Sequence, residues 1–266
     1  MKPMLSLPMA EDVDPLMYIN NPAWMEQQKL DGERLLGEVN DREVTGYNRR
    51  GDLMRVPENI AADFDKKAFT GKWVFDGEIL GPTYFVFDCV QAQNAITPET
   101  PYSDRFQFLT HLMERWNPVN VRLVPHATKT NKKAFFDTCL NNNVEGVIFK
   151  LGAGRYRPGK RTMESLKCKF TTTAEVFITD LNRTGSLGVS TAIIHNGKQV
   201  DAGGCKLPAE AFDFVKVGDV IEVRYLYASQ DHKLVQPIWI RPRFDKNAEE
   251  CTTDQLKYTS KEPVQA

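Results

Sequence analysis

No stretch of the 266-residue chain approaches the roughly 20 consecutive apolar residues that a membrane-spanning helix needs. The opening "MKPMLSLPMAEDVD" has one early lysine and a short apolar run, broken by proline and followed by acids, so no secretory leader is expected. Cysteine is sparse: Cys89, Cys139, Cys168, Cys205 and Cys251 are odd in number, widely spaced and form no C-x-x-C pair. Reduced thiols in an intracellular, cytoplasmic protein follow, without a structural zinc site. The absence of a G-x-x-x-x-G-K-[ST] loop excludes a P-loop phosphate cradle. Nor does one charge dominate: 34 Lys and Arg face 35 Asp and Glu, a net charge of -1 that argues against a protein coated by polyanions.

What is present is local. Residues 150 to 169, "KLGAGRYRPGKRTMESLKCK", hold seven Lys or Arg against one Glu, so the rest of the chain is net acidic. A basic patch on a near-neutral protein suits a phosphate-bearing substrate held at one place; a solvated charged loop explains the charge equally well. The length allows one large domain or two smaller ones, and 41% hydrophobic with 26% charged residues fits a soluble globular protein.

The pattern predicts an α+β protein with mainly antiparallel sheets. Residues 24 to 50 read as a strand, a turn and a hairpin through Asn40–Arg42. "PENIAADFDKKAF" starts at Pro57 and spaces Ile60, Phe64 and Ala68 by four, which predicts a helix. "SDRFQFLTHLMERW" sets Phe106, Leu109, Met113 and Trp116 on one helical face, with Ser103 as its cap. "NKKAFFDTCLNN" predicts a shorter helix before the strand "EGVIFK". From Thr171 short strands take over, interrupted by the helix-like "LPAEAFDFVK", which suggests a five-stranded barrel of the oligonucleotide-binding (OB-fold) kind. The expected division is 1–170, 171–250 and a polar, loosely ordered tail over 251–266.

Strand alternation groups the charged residues. Lys167 and Lys169 share a face of "SLKCKF", and two ammonium groups there want an anion between them. Asp76 and Glu78 share a face of "FDGEI" and want a cation, and Glu145 stands at the mouth of "VEGVIFK". Magnesium favours a few carboxylates together with substrate phosphate oxygens. Lys29 lies in "KLDGER", where Asp31-Gly32 is also an ordinary hairpin signal. The turn could be plain charged surface, an anion holder or the seat of a nucleophilic amine; as a nucleophile, a lysine must first lose its proton, which neighbouring cations promote.

Seven segments in order decide among these. "KLDGER" (29–34) resembles the K-x-D-G-x-R motif of the covalent nucleotidyltransferases, which include ATP-dependent DNA ligases, RNA ligases and messenger-RNA capping enzymes. "YNRRG" (47–51), "FDGE" (75–78), "YFVFD" (84–88), "EGVIFK" (145–150), "LKCK" (166–169) and "RFDK" (243–246) continue the resemblance over nearly the whole chain. "LKCK" is similar to the DNA-ligase form, and the opening "KPMLS" to the start of ligase catalytic domains. The resemblance is to a minimal ATP-dependent DNA ligase of viral or bacterial type: an adenylation (nucleotidyltransferase) domain followed by an OB-fold barrel.

The resemblance implies roles residue by residue. Lys29 would attack the α-phosphate of ATP to give lysyl-AMP, and Asp31 would steer the amine. Arg34 and Arg49 would contact ribose and phosphate, including the 5′-phosphate of the nick. Glu78 and Glu145 would serve ribose and metal with Asp76, and Phe87, or else Phe85, would stack on the adenine. Lys167 and Lys169 would clamp the α-phosphate; Arg243 and Lys246 would orient the departing pyrophosphate. Independently of the resemblance, Arg155, Arg157, Lys160 and Arg161 cluster beside Lys167 and Lys169 with few acids nearby and are expected to contact DNA phosphates. The implied cofactors are ATP and Mg2+, with Mn2+ as a substitute; the implied partner is nicked duplex DNA bound by a monomer, with no membrane.

Two positions depart from the family pattern. Gln27 stands where ATP ligases often carry Glu, and an amide both accepts and donates, so it can meet a different base. Asn48 replaces a usual serine. An RNA ligase or GTP-dependent capping enzyme is the alternative within the superfamily; a non-enzymatic nucleic-acid-binding protein leaves the carboxylates and "KLDGER" unexplained. Because only 28 residues precede Lys29, too few for a domain that could hold a nicotinamide, ATP rather than NAD is expected.

Overall fold

A computed structural model of the chain describes residues 1–65, 69–182, 187–260 and 262–264. In chain order the first elements are β1 (Leu5–Pro8), α1 (Leu16–Ile19), β2 (Trp24–Gln28), β3 (Glu33–Asn40), β4 (Glu43–Tyr47), β5 (Leu53–Met54) and α2 (Glu58–Phe64). They are followed by β6 (Lys72–Leu80), β7 (Thr83–Ala92), α3 (Tyr102–Trp116), β8 (Val121–Leu123), β9 (His126–Ala127), α4 (Lys132–Asn141), β10 (Gly146–Leu151) and β11 (Arg161–Lys169). The second region holds β12 (Thr172–Asn182), β13 (Gly188–His195), β14 (Lys198–Lys206), β15 (Val220–Tyr225), β16 (Tyr227–Ala228), β17 (Leu234–Val235) and β18 (Ile238–Pro242). Among the described residues no helix is long and apolar enough to cross a membrane.

The chain forms two compact units, Met1–Cys168 with 261–266, and Lys169–Ser260. The first is α+β. One sheet runs β5-β4-β3-β6-β7-β8 and the other β1-β11-β10-β2-β9, mostly antiparallel, with β1 parallel to β11 and β7 parallel to β8. Its largest core collects Leu35 and Val39 from β3, Phe75 from β6, Phe64 from α2, and Phe106, Leu109 and Trp116 from α3, with Met113 packed against them. The face predicted for this helix is thus the buried one. The β3–β4 hairpin closes through Asp41 and Arg42, both at positive φ, the backbone that matches the twist of a two-residue turn.

Three helix expectations need correction. Ser103 does not cap α3, which begins one residue earlier. The first amides of this helix, those of Tyr102 and Ser103, donate to the carbonyls of Gly154 (2.8 Å) and Gly152 (2.9 Å), so the backbone of another loop does the capping. Helix α2 stops at Phe64, short of the expected end, and Ala68 lies outside the described residues. The helix-like "LPAEAFDFVK" forms a 3-10 turn over Ala209–Asp213.

In the second unit, β12-β13-β14-β18-β15 close into a barrel around Val176, Ile178, Ile193, Ala202, Ile221 and Val223. Residues 251–260 are not a loose polar tail. Cys251 and Leu256 are buried in this same core. Gln255 pairs with β12 as a strand would, accepting from the Glu175 amide at 2.7 Å and donating to its carbonyl at 3.0 Å. A side-chain amide that offers both a donor and an acceptor made this segment look more polar than its environment is. All five cysteines are free and buried, three in the first unit and two in the second.

Candidate active site

Strand β2 delivers Lys29. Pairing of β2 with β10 sets Gln28 against Val147, and the Lys29 amide then donates to the Gly146 carbonyl at 2.9 Å. That register, not nearness in sequence, brings the Lys29 ammonium against the Glu145 carboxylate, with the lysine side chain 22% exposed and the glutamate side chain 3%. Gly32 is needed here for space: a Cβ would stand 2.1 Å from the Ile79 carbonyl oxygen. Its φ is not left-handed, so Asp31-Gly32 is not the hairpin turn that its composition suggests. Asp31 is partly exposed beside it.

Arg34 and Asp76 form a fork. Arg34 Nε and Nη2 donate to Asp76 Oδ1 (2.7 Å) and Oδ2 (2.8 Å), and Nη2 also donates to the Met4 carbonyl (3.0 Å). The Tyr156 hydroxyl adds a bond to Asp76 Oδ2 at 2.6 Å. Asp76, 1% exposed, is therefore occupied as a structural acceptor rather than standing ready beside Glu78 for a metal. Arg34 likewise gives its fork to the protein and lays its guanidinium 4.5 Å from the Phe87 ring centre. Burial pushes the Glu78 carboxyl upward, opposed by the charges of Arg34 and Lys29 and by the Gly32 amide.

A bulge explains which phenylalanine reaches the site. Opposite the adjacent pair Asp76 and Gly77, strand β7 presents Asp88 and Val86, so Phe87 is the extra residue. Bulges break the alternation and re-aim a side chain. Phe85 is buried in the core at 6% exposure, whereas Phe87 keeps a partly open ring.

Gln27 lies behind that ring. Its Nε2 donates to the Tyr102 hydroxyl (2.6 Å) and to the Phe87 carbonyl (3.3 Å), which Tyr102 also contacts at 3.0 Å. A carbonyl only accepts, so the amide nitrogen must face it, and Oε1 is turned elsewhere as an acceptor.

Lys150, the last residue of "EGVIFK", is a site neighbour that the sequence reading did not single out. Its ammonium lies 5.6 Å from the Phe87 ring centre and 5.4 Å from that of Tyr102. Burial, aided by the charges of Arg34 and Arg105, lowers its pKa to about 8 against the pull of Asp88 and Asp76. The available signal was its place on the strand that follows Glu145.

Other expected residues stand apart. Asn48 organises its turn by accepting from the Arg50 amide (2.8 Å) and the Asp52 amide (3.1 Å), which leaves Arg49 exposed. Lys167 sits on β11 in register with Pro8 of β1. In the second unit, Lys169 donates to Gln236 Oε1 at 2.7 Å. There too Arg243 pairs with Glu175 and forks onto Asp245 (2.9 Å to each oxygen), while Lys246 reaches the other Glu175 oxygen at 2.7 Å. In the basic loop, Arg155 (2.8 Å) and Arg157 (3.0 Å) share Glu99, an acid distant in sequence, and Arg161 donates to the Ser6 carbonyl (3.2 Å); Lys160 is exposed.

Among the described residues no group of three or more His, Cys, Asp or Glu side chains could hold a metal ion. With Asp76 occupied, Glu78 and Glu145 are the carboxylates left beside Lys29 and Arg34, a set that fits a magnesium ion drawing most of its ligands from phosphate and water.

The family model of the ATP dependent DNA ligase domain matches residues 80–169. No curated protein matches the chain. The solved ligase domain of M. tuberculosis LigD is 22% identical, covers 94% of this chain and 97% of its own, and superposes with a TM-score of 0.54. A Lig E DNA ligase, described as DNA binding with a minimal scaffold, is 16% identical over 91% of this chain and 99% of its own, with a TM-score of 0.67. The structure named Pmar-Lig_PreS3 is 15% identical over 91% of this chain and 67% of its own, with a TM-score of 0.73. At these identities the structural likeness is one of fold: a nucleotidyltransferase domain joined to an OB-fold domain. Residues 80–169 thus resemble the ATP dependent DNA ligase domain, and the chain as a whole shares the fold of the ligase structures with which it superposes.

Proposed function

We propose that the chain seals nicks bearing a 5′-phosphate and a 3′-hydroxyl in duplex DNA, working as a monomer with ATP and magnesium. The observation that carries this reading is the seating of Lys29. Its side chain is partly open to solvent, yet its amine is hydrogen-bonded to the buried carboxylate of Glu145, one residue past the strand that carries Gln27. An ammonium cannot attack; Glu145 is the base already in contact with the proton that must leave. The freed Nζ bonds to the α-phosphorus of ATP, and the bond to the bridging oxygen breaks, its electron pair leaving with pyrophosphate. An oxygen of the nick 5′-phosphate then attacks that phosphorus and releases Lys29. Last, the 3′-hydroxyl attacks the activated 5′-phosphorus and AMP departs.

Gln27 Oε1 would accept from the adenine amine, with the base beside Phe87. Lys167 and Lys169 would neutralise phosphate oxygens, while Arg243 and Lys246 would leave Glu175 to guide pyrophosphate. Magnesium, held by Glu78 or Glu145, would add charge neutralisation on the phosphates. The test is incubation with labelled ATP, GTP or NAD and magnesium, followed by nicked duplex. A lysyl-AMP mass shift from ATP on Lys29, discharged into sealed DNA, is expected. Preferential labelling from GTP or NAD would overturn the cofactor, and labelled protein that never seals DNA would overturn the substrate.

A further inference from the structure

Gln28 ends β2, and strand alternation points its side chain away from the face that Gln27 presents to Phe87 and Tyr102. There it meets a segment more than 200 residues later. Gln28 Nε2 donates to the Glu262 carbonyl at 3.3 Å, and Gln28 Oε1 accepts from the Val264 amide at 2.9 Å. These are alternate residues of one backbone, so the side-chain amide acts as a strand neighbour, giving one bond and receiving one. Gln28 is 4% exposed and Val264 8%. The main chain at Gln28 is fixed as well, by the Pro125 carbonyl at 2.9 Å. Residues 261–266 belong to the first compact unit although the preceding 92 residues, Lys169–Ser260, form the second.

The next residue is Lys29, where the chain leaves the sheet. Its amine hangs on four rotatable side-chain bonds, so a small backbone rotation at its root becomes a large displacement at Nζ. We propose that Gln28 and the 262–264 segment form a clamp that aims the Lys29 amine at the reacting phosphorus, a role that rests on the reading of Lys29 as the nucleophile. Gln28 is a positioning residue: buried on the opposite face, it touches no reacting atom. Its contribution is to keep the attacking nitrogen in line, where misplacement by about 1 Å can cost about 100-fold in rate.

The test follows lysyl-AMP formation by mass, in single turnover over a range of ATP concentrations, in the full chain and in Gln28→Ala, Val264→Pro and Val264→Ala. Val264→Pro removes the donating N–H; Val264→Ala trims the buried side chain but keeps that N–H. Gln28→Ala and Val264→Pro should lower the maximal rate at least about tenfold while half-saturating ATP stays within about twofold. Val264→Ala should keep the unaltered rate. Unchanged maximal rates in the first two variants would overturn the clamp, as would a loss shared by Val264→Ala in proportion to lowered melting temperature. Absence of any adduct from the unaltered chain would instead sink the role of Lys29 itself.

Discussion

Two kinds of ion pair meet in the first unit. Asp76 and Asp88, opposite each other on β6 and β7, each take an arginine in a two-pronged fork, Arg34 for one and Arg105 for the other. Arg105 and Asp88 are both nearly inaccessible, and their bonds measure 2.8 Å on each prong. Lys29 and Glu145 meet through one oxygen, with the lysine side chain partly exposed. The forks are fixed in two dimensions and anchor the sheet; a single contact to a flexible chain can be released without moving the backbone. The barrel charges combine the two: Arg243 forks onto the exposed Asp245, while it and Lys246 each reach one oxygen of Glu175 near the surface. Fixed pairs hold the frame, and releasable ones belong to the groups proposed to react.

The sharpest break is Lys29→Arg. It preserves the contact with Glu145, but a guanidinium stays protonated and cannot attack, so adduct formation should vanish by mass spectrometry. An adduct on the arginine variant would remove Lys29 as the nucleophile.

Asp88→Ala should act on the frame instead. Leaving Arg105 buried and unpaired should cost about 3–5 kcal/mol, read as a shift of the urea midpoint. A midpoint within error of the unaltered chain would erase the distinction between the two kinds of pair.

Removing Arg243 and Lys246 together should slow adduct formation from ATP at least about tenfold, as expected when cationic stabilisation of a phosphoryl leaving group is lost. Sealing of a pre-adenylylated nick should survive much better. Equal losses in both assays would refute a role confined to pyrophosphate.

Glu26 belongs to neither kind. It is fully buried, neither carboxylate oxygen has a hydrogen-bond partner, and burial raises its pKa to about 8, opposed by Lys132 and reinforced by Asp137. The folded state therefore holds a proton that the unfolded chain loses near its ordinary pKa of 4.5. Stability falls as pH rises from there to about 8, where the buried carboxylate has ionised. Glu26→Gln should flatten that decline, gaining on the unaltered chain as pH rises through this window. Parallel melting curves for the two chains from pH 5 to 8 would show that Glu26 is not protonated in the fold.

The smallest effect concerns the basic loop. Each phosphate neutralised contributes about -0.9 to the log-log salt slope of DNA binding. Since Glu99 already holds Arg155 and Arg157, replacing Lys160 and Arg161 should flatten the slope more than replacing that pair. The reverse order would mean that DNA displaces Glu99.

What the sequence disclosed was periodic or local. The apolar spacing of α3 and the strands carrying Asp76 and Phe87 repeat every two or four residues, and the change of texture near residue 170 and the place of Glu145 just before a strand are local. What escaped was pairing over long separations. Nothing in "FDGE" shows that Tyr156 completes the shell of Asp76, and nothing in "QQK" shows that Gln28 meets Val264. The Phe87 bulge adds a residue to one strand only, which composition does not reveal. Segment 251–260 misled for the opposite reason, because Gln255 spends its polarity on β12 rather than on water.

The buried cysteines make each unit its own clock. A thiol reagent needs both access and a thiolate, and burial raises Cys139 to about 12 and Cys168, Cys205 and Cys251 to about 11. Labelling therefore waits for opening. Peptides bearing Cys89, Cys139 and Cys168 would time the first unit, and those bearing Cys205 and Cys251 the second, with no introduced probe. The order in which the two sets gain mass would date the loosening of each unit separately, with ATP present or absent.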